Sequence, residues 1–166
     1  MLTREFTNRE SIAVSSDAVW RELFPLDRLM RLVPEVIDCE VFADGRRAFA
    51  QTSLTLASMN WNAVIEAQID VAEAPNHLQW SATVPRMRLE FVGVLRADSR
   101  GDDDVVLCYD GRIRCTHPLL SRVFRGALVS ALEDHVDCVL SQAAEAATKH
   151  TAAARHLSEP RRRQNR

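Results

Sequence analysis

The hydrophobic period of this chain changes once, and the change restricts the fold more than any other feature. Between residues 37 and 115 apolar and polar residues alternate, as in half-buried strands. After Thr116-His117-Pro118 the apolar spacing becomes three and four, and the stripe continues from Leu119 to Ala143. The proline suits a first helical position. Such a helix would span roughly 40 Å and could lie across a whole sheet.

The alternating part of the chain, with a similar segment from Leu2 to Val14, predicts seven strands. Asp44-Gly45 is a strong hairpin signal, and Pro75-Asn76 marks another turn. The short connections indicate mostly antiparallel pairing. If the last hairpin is symmetric about its polar loop at residues 98–104, Glu90 lies opposite Arg112.

Two short helices are predicted between the first and second strands, at residues 17–33. Asp17 and Asp27 place negative charge where each helix would begin, and Pro25 and Pro34 end them. Apolar residues follow at helical spacing. We expect these helices to cover one end of a sheet that curls around a cavity.

Composition limits the class of protein. The chain has 166 residues, of which 46% are hydrophobic and 27% charged, typical of one globular domain. A net charge of −2 argues against nucleic-acid binding. There is neither an apolar run long enough to span a membrane nor the apolar core of a secretory signal. We therefore expect a cytoplasmic protein.

The four cysteines are Cys39, Cys108, Cys115 and Cys138. None forms a CxxC pair, and no histidine stands beside them at zinc-site spacing. We expect reduced thiols, with no metal and no cofactor. From His150 the apolar pattern fades into a basic, proline-broken segment. This predicts a domain over residues 1–149 and a disordered tail over residues 150–166.

The element order resembles that of the START-like, or SRPBCC, superfamily with its α+β helix-grip (START/Bet v 1-like) fold. The stretch IAVSSDAVWRELFPLDRLMRLVPEV looks like the opening of those domains. VVLCYDGRIRC followed by HPLLSRVFRGALVSALEDHV is similar to their last strand and gripping helix. The resemblance covers residues 7–149 and is greatest to the group named after a carbon monoxide dehydrogenase subunit. The coenzyme Q-binding and polyketide cyclase groups are also similar.

The resemblance implies a seven-stranded curved antiparallel sheet around the long helix, with an internal pocket for a lipid, an isoprenoid quinone or a polyketide-like molecule. Large apolar residues share the faces that alternation turns inward, and the phenol of the one tyrosine among them could bind a ligand carbonyl. The predicted lining is Trp61, Ile65, Trp80, Leu89, Phe91, Leu107, Tyr109, Phe124, Leu128, Ala131 and Leu132.

Three functions stay open from the sequence. Binding or transport of a hydrophobic molecule is favoured, because the inward faces carry almost no acid, base or arginine. A cyclase or dehydratase would need such groups, and His135 at the margin of the helical stripe is the one candidate base. A solid-cored interaction protein that recruits an enzyme to a membrane is the third.

Two surface contacts are also considered. The predicted outer surface gathers arginines that could touch an anionic membrane, namely Arg86, Arg88, Arg112 and Arg114, with Arg161–Arg163 of the tail. A solvated face is the simpler interpretation of these arginines. The long helix or an edge strand could support a homodimer.

Overall fold

The computed structural model describes residues 1–23, 25–33, 35–56 and 58–158. Its elements follow in the predicted order, with a single 3-10 turn at Pro85–Met87. They are β1 Leu2–Ile12, α1 Ser16–Leu23, α2 Leu26–Arg31, β2 Val36–Val41, β3 Arg47–Leu56, β4 Met59–Glu73, β5 His77–Val84, β6 Leu89–Gly101, β7 Asp104–Cys115, α3 Pro118–Arg122 and α4 Arg125–Ser158.

The strands form one curved, seven-stranded antiparallel sheet in the order β1-β7-β6-β5-β4-β3-β2. All pairs from β2 to β7 join neighbours in the chain, so short turns can connect them. The exception is β1, which pairs along its whole length with β7. The predicted α+β helix-grip architecture and its strand count are confirmed.

The two short helices connect the two edges of this sheet. The chain leaves β1 at one edge and must begin β2 at the other, and α1 and α2 make that crossing. Buried side chains fix them there, with Val19 and Leu23 from α1 and Leu26 and Met30 from α2 in the main core. α1 packs on α4, and α2 packs on β2 and β3.

The long C-terminal helix packs against β1, β3 and α1. Its buried side chains are Leu128, Leu140, Ala143 and Ala147, at the spacing of one face. Small alanines let the helix approach the other elements closely. None of the helices in the described part of the chain is both long enough and apolar enough to cross a membrane.

The predicted single helix after Pro118 is two helices. Leu119 O accepts from both Val123 N, at 2.8 Å, and Phe124 N, at 3.1 Å, which breaks the regular ladder between α3 and α4. His117 begins α3, and its Nδ1 accepts from Leu120 N at 3.4 Å.

Helix α4 then continues to Ser158, past the predicted domain end at residue 149. The segment after His150 is rich in alanine, which favours a helix even where the apolar stripe has faded. Residues 150–158, for which the sequence predicts disorder, are thus part of α4, and the domain end at residue 149 stays a prediction. The rest of the predicted tail lies outside the described residues.

The predicted register of the last hairpin is also wrong. Glu90 pairs with Arg114, with an ion pair of 3.5 Å, and Arg112 pairs with Val92. The strands run on to Gly101 and resume at Asp104, with a bulge after Ser99, so most of the polar loop is strand. The shorter, off-centre turn moves the pairing by two residues.

Candidate ligand cavity

A cavity of about 150 Å³ lies between the concave face of the sheet, the lid helices α1 and α2, and α4. Each of these layers supplies apolar side chains to its wall. The sheet contributes from β1 and from β3 through β7, and α4 contributes Ala131, Val136, Val139 and Leu140. The turn after β5 adds Met87.

Six of the predicted lining residues border this cavity: Ile65, Trp80, Leu89, Phe91, Tyr109 and Ala131. They come from four adjacent strands and from α4. The five on strands share the concave face because successive side chains of a strand point to opposite faces of a sheet. Their role in binding stays a prediction. Ala131 lies in the first part of α4, where a small side chain leaves space beneath the helix.

Four predicted residues pack beside the cavity instead. Leu107 is completely buried in the main core, and Leu128 is completely buried in a second cluster under α3. Trp61 lies edge-on to Phe124, with ring centroids 6.4 Å apart. These side chains are on the predicted faces, but alternation does not say how far along a strand the hollow extends. The side chains of Leu132 and His135 lie outside the described residues.

Sequence reasoning missed much of the wall that the lid supplies. Leu23, Leu26, Leu29, Met30 and Val33 all border the cavity. Their helical spacing is visible in the sequence and predicts a lid. What the sequence lacks is a signal that the lid is in direct contact with the cavity. Phe6 of β1 was missed because its partner strand was unknown.

Three stacked aromatic rings form one side of the cavity. Phe6 and Tyr109 have ring centroids 6.0 Å apart and an angle of 23° between the ring planes. Trp80 and Tyr109 follow at 6.4 Å and 29°. The rings lie over Gly93 and Gly111, which are paired across β6 and β7. The two glycines provide the room for the rings to lie on the backbone.

Two polar atoms, the Tyr109 hydroxyl oxygen and Trp80 Nε1, lie close to Gly93. A methyl group at Gly93 would lie 2.5 Å from the Tyr109 hydroxyl and 2.5 Å from Trp80 Nε1, so these atoms are at most twice that distance apart. Burial raises the pKa of Tyr109 far above its ordinary value of 10.0. The phenol therefore stays protonated and can donate. A ligand carbonyl here would be within reach of two donors.

The other polar side chains on the wall are Glu35, Thr52 and Gln68. Thr52 Oγ1 donates to Ala63 O at 3.2 Å, and Gln68 Nε2 donates to Asp70 Oδ1 at 2.6 Å. These two groups are thus engaged by their own neighbours. Glu35 follows the lid and carries the one carboxylate among the described lining residues.

The four cysteines are free thiols, and none borders the cavity. Burial raises the pKa of Cys39, Cys108 and Cys115, and the carboxylates of Asp38 and Asp98 raise the first two further. A thiol with a raised pKa is a poor nucleophile at neutral pH. These cysteines therefore serve packing.

The sequence matches no protein-family model and no curated protein. Solved structures do match. The Zhui aromatase/cyclase from Streptomyces sp. R1128 gives a TM-score of 0.76 at 14% identity, covering 92% of this chain and 98% of that one. A conserved protein from Geobacillus kaustophilus gives a TM-score of 0.74 at 12% identity, covering 89% of this chain and 96% of that one. Truncated norcoclaurine synthase from Thalictrum flavum gives a TM-score of 0.58 at 11% identity, covering 83% of this chain and 91% of that one. At these identities the likeness establishes the fold alone.

Proposed function

We propose that this domain, which has the START-like helix-grip fold that its sequence predicted, binds a hydrophobic small molecule with a flat, carbonyl-bearing head. One observation carries the proposal. An apolar cavity has a stacked aromatic side that carries two neutral donors close together, the Tyr109 hydroxyl and Trp80 Nε1. Flat rings favour offset stacking with a flat ligand, and the donors would fix its orientation.

The size of the cavity bears on the ligand. At about 150 Å³ it matches a cavity that admits benzene, and drug-sized ligands occupy roughly 300–1,000 Å³. Burying one ring of about 150 Å² contributes about 4 kcal/mol, which corresponds to millimolar affinity. A physiological ligand must therefore bury more than one ring. We infer that α1 and α2 move to admit the remainder.

This requirement favours a lipid, an isoprenoid quinone or a polyketide-like molecule whose head enters first. The cavity counts against the third function left open by the sequence, an interaction protein with a fully packed core. A cytoplasmic location and a homodimer through α4 or an edge strand stay predictions of the sequence.

A cyclase-type enzyme is the second candidate, favoured by the carboxylate of Glu35 on the wall and by a fold neighbour that is an aromatase/cyclase. A carboxylate and a phenol at one cavity could exchange protons with a bound polyketide. Glu35→Gln separates the two functions. If the domain is a carrier, the variant should bind its ligand as the wild type does. If the domain is an enzyme, the variant should still bind the ligand but should lose turnover.

The test of binding is native mass spectrometry of gently purified protein, followed by extraction with organic solvent. We expect an adduct of low molecular mass on the wild type. Ala131→Phe should abolish it, because the new ring is the size of the molecule that such a cavity admits. Ser130→Phe adds the same ring at an exposed position on the same helix and should keep the adduct. An adduct that survives Ala131→Phe would place the ligand elsewhere.

A further inference from the structure

One end of the molecule exposes large apolar side chains that pack against nothing. Leu119 is 51% exposed and Val123 is 69% exposed, both in or just after α3. Met59, at the tip of the β3–β4 hairpin, is 43% exposed. Soluble proteins rarely cluster such residues without a partner.

Contacts between three segments bring this end together. Trp61, next to the hairpin tip, lies 6.2 Å from His117 between ring centroids. Thr116 N donates to Arg88 O at 3.1 Å, which joins the start of α3 to the turn after β5. Leu120 of α3 and Met87 of that turn are buried in the same cluster. The hairpin tip, the turn and α3 therefore form one surface.

The charges of this surface have one sign. Arg86, Arg88, Arg122 and Arg125 are exposed, and within the described residues none has a carboxylate within ion-pair distance. No Asp or Glu occurs at residues 45–65, 77–89 or 111–132. Some exposed arginines elsewhere are paired with carboxylates, such as Arg96 with Asp110 at 2.7 Å. In a chain of net charge −2, the three segments that form this end thus carry arginines and no carboxylate.

We propose that this apolar and basic end docks on an anionic lipid bilayer. Arginines would face the lipid phosphates while Leu119, Val123 and Met59 insert at the boundary of headgroups and acyl chains. An acidic protein or a nucleic acid would satisfy the charge but leave the apolar tips exposed to water. Lipid satisfies both. The proposal keeps Arg86 and Arg88 from the sequence prediction and adds Arg122 and Arg125. It leaves out Arg114, which is engaged by Glu90.

The surface is continuous with the cavity wall. Met87 borders the cavity, and its two chain neighbours are exposed arginines of the docking end. A bilayer docked at this end would therefore lie next to the side of the cavity that Met87 forms. Docking itself does not depend on what the cavity holds, so the two proposals can fail separately.

The experiment is co-sedimentation of the full chain with vesicles. We expect binding to phosphatidylcholine vesicles that contain phosphatidylglycerol, weaker binding as salt rises, and little binding to pure phosphatidylcholine. Each arginine near an anionic surface contributes about a fivefold change in partitioning. Arg122→Glu with Arg125→Glu should therefore lower partitioning ~25-fold or more. Leu119→Ser with Val123→Ser should lower it with net charge unchanged.

Two matched controls sit elsewhere on the surface. Arg100→Glu reverses an exposed arginine at the other end of β6, roughly 40 Å away. Phe42→Ser removes an apolar side chain that is 38% exposed, next to the β2–β3 turn at the opposite end of β3 from Met59. Both should bind like the wild type. The proposal is overturned if the controls lose as much vesicle binding as the docking-end variants, or if neutral vesicles bind as well as anionic ones. It is also overturned if the protein binds an acidic protein or DNA but no vesicle.

Discussion

Gly93 and Gly111 are paired at the point where three aromatic rings cross the sheet. Tyr109 reaches along its own strand over Gly111, and Trp80 reaches across from β5 over Gly93. The glycines let large rings lie flat against the backbone, where an ordinary strand would hold them upright. Two positions without side chains thus determine the shape of the proposed binding surface.

Gly93→Ala should destabilise the domain by about 1–3 kcal/mol, because its methyl group would lie 2.5 Å from both Trp80 Nε1 and Tyr109 Oη. Both rings would have to shift, so ligand binding should weaken as well. Urea unfolding measures the first effect. Gly101→Ala is the control, since a methyl group there meets nothing within 4 Å. Equal stability of the two variants would contradict the ring placement.

Tyr109 is the one tyrosine in the chain, so a phenolate absorbance titration reports it alone. Burial holds its pKa above the ordinary 10.0, and the native protein keeps a proton that the unfolded chain loses. Stability gained from this group is therefore complete below pH 10 and falls as the pH rises further. We expect a higher titration midpoint in native than in denatured protein. Tyr109→Phe should remove part of the alkaline loss of stability. Identical midpoints would show an exposed phenol.

At the scale of elements, an ion pair holds the two lid helices together. Arg28 of α2 donates to Glu22 of α1 at 3.2 Å and to the Arg21 carbonyl at 3.1 Å. Glu22 is 8% exposed, so its carboxylate interacts in a partly desolvated setting. The sequence predicted both helices from their prolines, but not this bond, since it depends on the angle between them.

Arg28→Ala should loosen the lid, costing about 1–2 kcal/mol, because it removes a partner from a buried carboxylate. Hydrogen exchange should quicken in α1 and α2 and remain unchanged in β6 and β7. Ligand association should also become faster if the lid is the opening. Arg47→Ala is the matched control, because its ion pair with Asp44 at 2.8 Å is exposed and contributes about 1 kcal/mol at most. If hydrogen exchange in α1 and α2 stays unchanged, the ion pair does not stabilise the lid.

At the scale of the whole molecule, closure depends on pairing the first strand with the last. β1 meets β7 from Leu2 to Ile12, and α4 then packs on β1 and α1. The walls of the cavity are complete only when this pairing and the lid are both in place. A bound ligand should therefore stabilise the entire fold and not one element of it.

Ligand at 100 times its Kd should add about 2.7 kcal/mol to the free energy of unfolding. For a domain of this size that is a rise in Tm of roughly 5–10 °C. Thermal unfolding with a panel of quinones, fatty acids and aromatic polyketides measures it. Ala131→Phe should show no rise with any compound. A rise that Ala131→Phe shares fully would place the binding outside the cavity.

The sequence by itself determined the elements and the direction of their side chains. A period of two residues predicted the seven strands. Prolines and acidic first turns predicted the lid helices, and the change to a period of 3.6 predicted the gripping helix. Five cavity residues on strands, including Trp80 and Tyr109, followed from alternation, and Ala131 followed from the helical stripe. These properties are local, because backbone geometry fixes which way each side chain points.

Only the tertiary structure decided the register of the last hairpin, which inward-facing residues border the cavity, and how much space is left between the layers. The position of the last turn moved Glu90 from Arg112 to Arg114, and the way α3 packs put Trp61 and Phe124 beside the hollow instead of on its wall. The docking end arises where three distant segments meet, each lacking acidic residues for no visible local reason. A cavity is space left between layers, and no residue encodes it alone, because it depends on how closely all of them pack.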